Sequence, residues 1–525
     1  MSSPILDCLV VGAGPAGLQL GQHLAEAGRE YLVLEAGSSP GTFFRTFPRH
    51  RRLISINKVH TGTDDPELNL RMDWNSLLSP DPRLLFRHYS SRYFPDAGDL
   101  ARYLADYADA LALNVRYDTR VARIGRAEQG FEVATAAGDT LAARVVVVAT
   151  GVGNPYVAPI PGIELAEQYA TVSVDPADFV DQRVLIIGKG NSALETADNL
   201  VETAAVIHIA GPSSIRMAWK SHYVGHLRAV NNNFLDTYQL KSQNAILDGT
   251  VESIERHPDG GFLVRFAFSR ANEFVKELRY DRVIGCTGFR FDASIFAPDC
   301  RPELIHNDRF PVLTSAYEST VTPGVYFAGT LMQQRDFKRS TGGFIHGFRY
   351  AIRALSHILE QREHDAPWPS TELGTSPEEL AAAVLVRVNR TSALWQQFGV
   401  LGDVVSVADD GSACYLEEVP VDYVHDGGLG RDVHEVFVVT LEYGPDHDKV
   451  DPFDITVARV AQDDTERSFD AAYLHPVVRH HRDGRLVAVH HLAENLENEW
   501  AKPAAHRDPL IAFFGRELSL ERTQA

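Results

Sequence analysis

The feature that most constrains the fold is a glycine-rich turn between a short apolar run and a helical pattern near the N-terminus. Residues 5–11, ILDCLVV, are followed by GAGPAG and then by apolar residues at helical spacing as far as residue 28. Residues 31–35, YLVLE, supply a second apolar run, so the segment predicts a βαβ unit with parallel strands. Gly12, Gly14 and Gly17 satisfy G-x-G-x-x-G. These glycines allow a tight turn, the approach of a pyrophosphate and close packing of helix on strand, so the turn predicts a dinucleotide site.

Two further features strengthen this prediction. Glu35 ends the second strand, 18 residues after Gly17. A carboxylate at that place can accept hydrogen bonds from both ribose hydroxyls of a dinucleotide. The free N–H groups at the N-terminus of the helix suit the phosphates. We expect FAD to bind here.

A second module of the same kind begins near residue 183. VLIIG leads into GKGNSALETADNL, and the β-rich run AAVIHIAG follows at residues 204–211. The small residues of this second turn are Gly188, Gly190, Ser192 and Ala193, and Asn191 lies between Gly190 and Ser192. The module therefore predicts a second dinucleotide site.

The residues after the following strand indicate which dinucleotide binds there. No acidic residue ends the strand, whereas Ser213, Ser214 and Arg216 follow it. Hydroxyl and guanidinium groups suit a 2′-phosphate, so this pattern favours NADPH over NADH.

The order of the segments predicts an α/β fold with two Rossmann-like dinucleotide-binding domains and a C-terminal α+β appendage. Two apolar strands with the same Thr-Gly exit, VVVVATG at 145–151 and RVIGCTG at 282–288, mark the passages between the modules. We place the FAD domain at 1–155 and 285–365, the NADPH domain at 156–284 and the C-terminal domain at 366–525. Residues 363–379, rich in Pro, Ser, Thr and acid, predict a linker. Strands are expected in the tail at VFVVTLEYG, DITVARV and HPVVRHH.

Charge and composition exclude several classes of function. The net charge of −20 disfavours nucleic acid and anionic membrane surfaces as partners. No apolar run approaches the roughly 20 residues of a membrane span, and the chain enters its first strand at Ile5 without a leader, so we expect a cytoplasmic protein. Five histidines of the tail, at 475, 480, 481, 490 and 491, are not expected to bind a metal, because adjacent strand residues point to opposite faces.

Two nucleotide sites on one chain imply hydride transfer from nicotinamide to flavin. The four cysteines are widely separated and form no C-x-x-C, so no dithiol is expected to receive the electrons. Dioxygen is then the favoured acceptor, either released as peroxide or used to oxygenate a substrate.

The double fingerprint, the paired Thr-Gly exits and the segment RRLISINK resemble class B flavin-dependent monooxygenases. PRHRRLISINK, YFAGTLMQQRDFKRSTGGFIHGFRYAIRAL, QFGVLGDV and YLEEVP are similar to the FAD-dependent oxidoreductase domain-containing protein 2 group, and this likeness covers nearly the whole chain. The monooxygenase stretch F-x-G-x-x-x-H-x-x-x-W/Y has no counterpart before the second turn, which disfavours a Baeyer–Villiger enzyme. The animal member of the closer group is endoplasmic, but its leader and retention tail are not matched here.

The resemblance also implies roles for individual residues. Asn57 corresponds to the asparagine that hydrogen-bonds near the flavin and helps to hold its C4a-peroxide, which makes it the leading catalytic candidate. Gly41, Thr42 and Phe43 take the place of the family's segment beside the isoalloxazine. Gly329 with Thr330 takes the place of Gly-Asp on the ribityl chain in reductase relatives, without the carboxylate.

Further candidates come from their place in the chain. Gly342, Gly343 and Phe344 open a helix whose free N–H groups could meet the flavin pyrimidine edge. Arg335 is a second catalytic candidate, since it lies just upstream with Asp336 and Arg339 and could face the substrate. Val121 and Thr150 complete the set of expected cofactor contacts.

The function expected from these observations is an NADPH-dependent monooxygenase that oxygenates an amine nitrogen or a sulfur of a small molecule through a C4a-(hydro)peroxyflavin. FAD, NADPH and dioxygen would be its cofactors and co-substrate, and a homodimer is possible. One alternative is an NADPH oxidase or reductase that passes electrons to oxygen, a quinone or a partner protein. A second alternative is a flavin-stabilised binding protein.

Overall fold

The computed structural model describes residues 5–237, 244–272, 274–408, 410–430 and 435–519. Within these ranges the chain forms three larger sheets and two short two-stranded pairs. No helix in the same ranges combines the length and apolar character needed to cross a bilayer.

The first sheet contains the N-terminal glycine-rich turn. Its strand order is β3-β2-β1-β6-β5-β4, with β18 added beside β6. β1, β2, β3, β6 and β18 run parallel, and β4 and β5 add an antiparallel extension. The strands are β1 Leu6–Val11, β2 Tyr31–Leu34, β3 Val115–Arg116, β4 Val121–Arg126, β5 Phe131–Thr135, β6 Thr140–Val148 and β18 Val325–Phe327. β2 is buried throughout, as expected of a parallel strand covered on both faces.

The second sheet contains the second turn and has the order β13-β12-β11-β10-β9-β14-β8. β8, β14, β9, β10 and β11 run parallel, whereas β11, β12 and β13 form an antiparallel meander. The strands are β8 Glu167–Gln168, β9 Arg183–Ile187, β10 Val206–Gly211, β11 Asn244–Arg256, β12 Phe262–Phe268, β13 Val275–Tyr280 and β14 Arg282–Gly285. The short pairs are β7 Asn154–Pro155 with β15 Phe289–Arg290, and β16 Leu304–Ile305 with β17 Phe310–Pro311.

The third sheet is antiparallel and lies in the C-terminal part of the chain, with the order β19-β21-β20-β22-β23-β24. Its strands are β19 Ser370–Leu373, β20 Leu401–Val407, β21 Ala413–Pro420, β22 Glu435–Glu442, β23 His475–Arg482 and β24 Arg485–His491. We refer below to the parts of the chain around the three sheets as the first, second and third units.

The helices surround these sheets. They are α1 Pro15–Glu26, α2 Thr42–Thr46, α3 Pro66–Met72, α4 Ala97–Ala110, α5 Asn191–Leu200, α6 Ala218–Ser221, α7 Asn233–Asp236, α8 Ile345–His364, α9 Pro377–Arg390, α10 Ala393–Gln396, α11 Val421–His425 and α12 Asp508–Ser519. α1 follows β1, α5 follows β9, and both carry mostly buried residues, so each covers its sheet.

Two expectations for the tail are wrong. Residues 454–460, DITVARV, form no strand: the Asp454 carboxylate accepts the N–H and the hydroxyl of Thr456, and Ile455 is 99% exposed. A side chain that accepts a hydrogen bond from the main chain two residues later competes with strand pairing. Residues 363–379 do not form a free linker either, because they include β19, the start of α9 and the buried ring of Trp368.

The third unit packs on the first without a break in the apolar interior. A single cluster of buried hydrophobic residues extends from β1 through α8 to the third sheet and α12. The domain boundaries proposed from the sequence remain a prediction. Nothing in the sequence indicated that the first and third units would have one hydrophobic core in common.

Candidate functional site

The first glycine-rich turn lies between β1 and α1. Gly12 has a φ of +104°, and a Cβ on Gly17 would lie 1.9 Å from the carbonyl oxygen of Gly12. These two positions therefore exclude a side chain. A Cβ on Gly14 would meet nothing within 4 Å, and Gly14 precedes α1 without a side-chain cap. The turn thus offers open space and free N–H groups at the N-terminus of a 12-residue helix.

The Glu35 carboxylate lies at the end of β2, directly beside this turn. It is 7% exposed and accepts hydrogen bonds from the N–H of Ala13 at 2.8 Å, the N–H of Gly37 at 2.8 Å and the hydroxyl of Thr42 at 3.0 Å. A carboxylate held against the turn by main-chain donors is well placed to accept ribose hydroxyls.

Other predicted contacts lie around the same end of the sheet. The Gly41 N–H donates to the Ala13 carbonyl at 3.0 Å, and Phe43 is 41% exposed with its ring packed against Phe47. Thr150 follows β6 beside Gly12, and Val121 begins β4 in a buried position.

The second turn repeats this geometry between β9 and α5. A Cβ on Gly188 would lie 2.1 Å from the Cys286 carbonyl oxygen, whereas a Cβ on Gly190 would meet nothing within 4 Å. Gly190 precedes α5 without a side-chain cap, and Asn191 and Ser192 form the first residues of the helix. This turn also combines open space with free N–H groups.

The residues predicted to recognise a 2′-phosphate follow β10. Ser213, Ser214 and Arg216 are exposed. Arg216 also forms part of the wall of a cavity of about 550 Å³ that extends to the third unit.

Asn191 connects the second turn to the loop at residues 226–231. Its Nδ2 donates to the His226 carbonyl at 2.9 Å, and its Oδ1 accepts from the Arg228 N–H at 3.1 Å and from Asn231 Nδ2 at 3.1 Å. The Arg228 guanidinium lies 4.9 Å from the centre of the Trp74 ring in the first unit. The loop therefore joins the second turn to the first unit.

Trp74 continues this connection to the start of α8. Its ring stacks on His346 with centres 4.2 Å apart. His346 is fully buried, burial lowers its pKa well below the usual value, and neither ring nitrogen has a hydrogen-bond partner. Among the described residues these two nitrogens have no partner, so they are free to bind a polar ligand or an ordered water. Trp74, Arg228 and His346 could not be predicted from the sequence, since neither spacing nor composition distinguishes them.

Asn57 lies close to these residues, paired through its backbone with Asp73. It is 2% exposed, and its Nδ2 donates to the main-chain carbonyls of Ser90 at 2.7 Å and Arg92 at 3.4 Å, while its Oδ1 has no partner. The unpaired atom is thus an acceptor rather than a donor. The catalytic role implied by the resemblance remains a prediction, and it would require Nδ2 to turn away from Ser90.

The segment before α8 packs against the first turn. Gly329 has a φ of +74°, and a Cβ there would lie 2.5 Å from the Cβ of Ala16 on α1. A Cβ on Gly343 would meet the amide of Gln333, which donates from Nε2 to the Tyr223 hydroxyl at 3.0 Å. Phe344 immediately precedes α8 and has no side-chain cap.

Arg335 and Asp336, the neighbouring charged residues of this segment, lie in different environments. Arg335 forms an ion pair with Asp422 of the third unit and donates to the Leu313 carbonyl at 3.1 Å. Asp336 is 1% exposed and accepts the Gly342 N–H at 2.7 Å, and burial raises its pKa to about 7. Arg335 therefore lies at the boundary with the third unit, whereas Asp336 supports the Gly342–Gly343 turn.

The thiols and the tail histidines have separate environments. All four cysteines are free, and Cys8, Cys286 and Cys300 are buried. Burial raises the pKa of each of these three thiols, for Cys286 to about 12.

His480 is fully buried between the carboxylates of Glu435 and Glu517.

Comparisons with known proteins agree with this architecture. The family profile described as "Pyridine nucleotide-disulphide oxidoreductase" matches residues 9–329. The FAD-dependent oxidoreductase domain-containing protein 2 of Mus musculus is 40% identical, over 98% of this chain and 84% of the mouse protein, and that of Danio rerio is 38% identical, over 96% and 82%. A flavin-containing monooxygenase from Stenotrophomonas maltophilia shares the fold with a TM-score of 0.53 and 21% identity, over 68% of this chain and 98% of that one.

Proposed function

The chain belongs to the pyridine nucleotide-disulphide oxidoreductase family and to the FAD-dependent oxidoreductase domain-containing protein 2 group, and from that premise we propose that it is an NADPH-dependent flavoprotein monooxygenase. Its substrate would be a small molecule with a soft nucleophile, an amine nitrogen or a thioether sulfur. The proposal rests on the two nucleotide turns, on the side-chain contacts that link the parts of the chain around them, and on the burial and separation of the cysteine thiols.

The residues present fit both cofactors. Gly14 and Gly190 leave space where a pyrophosphate would approach each helix, and Glu35 offers a carboxylate at the end of β2. We assign FAD to the first turn and NADPH to the second, with Ser213 and Arg216 for the 2′-phosphate. Bound FAD would take a hydride from NADPH and supply the electron pair that activates dioxygen.

The observation that carries the proposal is the chain of contacts from the second turn to α8, whose preceding segment packs on the first turn at Gly329 and Ala16. Asn191 holds the backbone of Arg228, Arg228 lies over Trp74, and Trp74 stacks on His346 at the start of α8. Two nucleotide turns joined by so few residues suit transfer between two bound cofactors, whereas a dehydrogenase needs one turn only.

The thiols favour dioxygen over a disulphide as the acceptor. A redox dithiol needs two neighbouring cysteines, at least one of them with an accessible thiolate. Here the four cysteines are unpaired, and burial raises the pKa of Cys8, Cys286 and Cys300. The protein therefore differs from the disulphide reductases after which the family is named.

Asn57 and His346 are the side chains that we assign to the reacting region. Both are buried, and each carries polar atoms without a partner: Oδ1 in Asn57, and Nδ1 and Nε2 in His346. They would orient bound groups by hydrogen bonding and keep bulk water out. Arg335 was the second catalytic candidate, but its guanidinium is bound to Asp422, so we give it no direct part in the reaction.

The test is the stoichiometry of turnover with purified flavin-loaded protein. NADPH consumption, dioxygen consumption, hydrogen peroxide release and product formation are measured together, with thioanisole and N,N-dimethylaniline as probes. We expect sulfoxide or N-oxide in proportion to the NADPH consumed, and a heavy-isotope label in the product when labelled dioxygen is supplied.

The other outcomes separate the alternatives. NADPH oxidation that yields only peroxide, or that reduces an added quinone without labelled product, would replace the proposal by an NADPH oxidase or reductase, which the family name also favours. Absence of NADPH oxidation by flavin-loaded protein would leave a flavin-stabilised binding protein.

A further inference from the structure

A cavity of about 550 Å³ lies where the three units meet. The second unit contributes Arg216 and Ser221 to its wall, the first unit contributes Tyr317 and Lys338, and the third unit contributes Tyr443 and Arg479. Its volume is in the range of sites that enclose a small organic molecule. The third unit therefore forms part of the cavity wall as well as part of the fold.

The charges in the wall do not cancel. Arg335 is paired with Asp422, and Arg479 is paired with Glu442. Among the described residues, no carboxylate lies within ion-pair distance of Arg216, Lys338 or Arg339, and Asp448 is the remaining acid of the wall. Three cations against one carboxylate leave an excess positive charge, which a bound anion would compensate.

The cations belong to different units but lie near one side chain. Burial, together with the nearby charges of Arg216 from the second unit and Lys338 from the first, lowers the pKa of His226 to about 4. His226 is thus neutral at physiological pH, and it lies 2.5 Å from the Ser221 hydroxyl. A neutral ring between two cations leaves their charge available to a ligand.

Aromatic rings form another side of the cavity. His222 of the second unit stacks on Tyr443 of the third with ring centres 4.1 Å apart, and His447 stacks on Tyr443 at 5.0 Å. A second contact, between Trp219 and Phe453 at 4.8 Å, joins the same two units. Of these rings, Tyr443 and His447 line the cavity, and they suit the flat or apolar body of an organic ligand.

We propose that this cavity is an anion-binding site, completed by the third unit, that holds a small organic molecule by a phosphate or carboxylate group between Arg216, Lys338 and Arg339. The identity of the anion rests on the proposed function: it is either the 2′-phosphate of NADPH, for which Arg216 is already a candidate, or an acidic group on the substrate. In both cases Lys338, Arg339 and the aromatic wall are new members of the site.

The test is calorimetric titration of the flavin-loaded full chain with three probes: 2′,5′-ADP, 5′-ADP and 3-phenylpropionate. The variant is Lys338→Gln with Arg339→Gln, both exposed in the first unit. The matched control is Lys276→Gln with Arg279→Gln, which removes the same charge from exposed positions of β13 outside the cavity. We expect the cavity variant to bind one anion about tenfold more weakly, the loss typical of charged hydrogen bonds, and the control to bind as the wild type does.

The probes distinguish the two sources of the anion. Weaker binding of 2′,5′-ADP with unchanged binding of 5′-ADP assigns the site to the 2′-phosphate, and weaker binding of phenylpropionate assigns it to an acidic substrate. Equal affinities of the cavity variant and the control for all three probes would overturn the proposal.

A second variant tests the contribution of the third unit. Tyr443→Leu removes the ring that stacks on His222, so it should weaken the same probe, and an unchanged affinity would remove the third unit from the site. Because these titrations need no turnover, a failure of the monooxygenase proposal would appear in the product measurements and leave them unaffected.

Discussion

At the scale of single residues, the two turns are built in the same way, although we assign a different cofactor to each. Gly12 and Gly17 in the first turn and Gly188 in the second cannot carry a side chain because main-chain atoms lie too close. Gly14 and Gly190, in contrast, face open space. The first kind is needed for the fold, and the second kind is needed for the approach of a ligand.

This distinction leads to a paired prediction. Gly14→Ala should fold normally but retain little flavin on purification, because its methyl group occupies the path of a pyrophosphate. Gly190→Ala should retain flavin and bind NADPH at least about tenfold more weakly, the cost of losing one or two charged hydrogen bonds. Flavin content by absorbance and NADPH affinity by titration check both variants. Equal effects of the two substitutions on flavin content would contradict the assignment of the turns.

Asn57 provides a second prediction at this scale. Its Nδ2 donates to Ser90 at 2.7 Å and its Oδ1 has no partner. Asn57→Ala removes both groups, so we expect the larger part of the NADPH electrons to appear as hydrogen peroxide, with the affinity for NADPH unchanged. Asn57→Asp keeps an acceptor but loses the donor to Ser90. If Asn57→Asp still forms product in proportion to the NADPH consumed, the Oδ1 acceptor is the group that limits peroxide release. An unaltered hydrogen peroxide yield in Asn57→Ala would exclude Asn57 from the reacting region.

At the scale of elements, α5 both follows the second nucleotide turn and contacts the first unit. Glu195 on α5 accepts the hydroxyl of Tyr169, and the same hydroxyl accepts the main-chain N–H of Arg49 from the first unit at 3.0 Å. The Phe47 ring stacks on Tyr169 with centres 5.8 Å apart. A buried carboxyl group thus lies in the contact between the two nucleotide units.

This contact should make stability depend on pH. Burial raises the pKa of Glu195 from 4.5 to about 7. Between these values the native state keeps a proton that the unfolded state releases, so the free energy of unfolding falls as pH rises from about 4.5 to about 7, by up to about 3 kcal/mol. Glu195→Gln cannot lose a proton, so its stability relative to wild type should increase across this window.

Urea unfolding at about pH 5 and about pH 8 measures the effect. Glu202→Gln, at an exposed position just after α5, is the matched control and should follow the wild type at both pH values. Parallel profiles for Glu195→Gln and wild type would show that the Glu195 carboxyl group is not protonated in the native protein.

At the scale of the whole molecule, the third unit is bound to the first by apolar packing and by a cluster of charges. Glu418 of β21 is 5% exposed and accepts Arg353 of α8 at 2.8 and 2.6 Å and Arg387 of α9 at 3.1 Å. Burial alone would raise the pKa of Glu418, but the two guanidinium groups outweigh it and lower the value.

Glu418→Gln should therefore destabilise the protein strongly. It leaves two guanidinium groups with less compensation in a buried place, which typically costs about 3 kcal/mol or more. Glu417→Gln is the matched control: the Glu417 side chain also contacts Arg387, but it is 55% exposed, so its loss should cost less than about 1 kcal/mol. Thermal and urea unfolding compare the two variants. A similar small loss in both would show that the charge cluster does not hold the units together.

Short-range patterns in the sequence were enough to predict the local parts of the fold. The two glycine-rich turns, Glu35 and the strands around them follow from short-range patterns, because a βαβ unit has a fixed periodicity and its turn has strict steric demands. The absence of C-x-x-C likewise indicated free thiols. These inferences involve residues that are close in the chain.

Features that join residues far apart in the chain could be seen in the three-dimensional structure alone. The stack of Trp74 on His346, the contact of Arg228 with Trp74, the ion pair of Arg335 with Asp422 and the cavity between three units each join segments that no periodicity relates. The strand expected at 454–460 failed for a related reason: its apolar residues find no neighbouring strand to pair with, and the Asp454 side chain stabilises a turn instead. Burial and pairing of side chains depend on the whole fold, so a pattern of residue types cannot supply them.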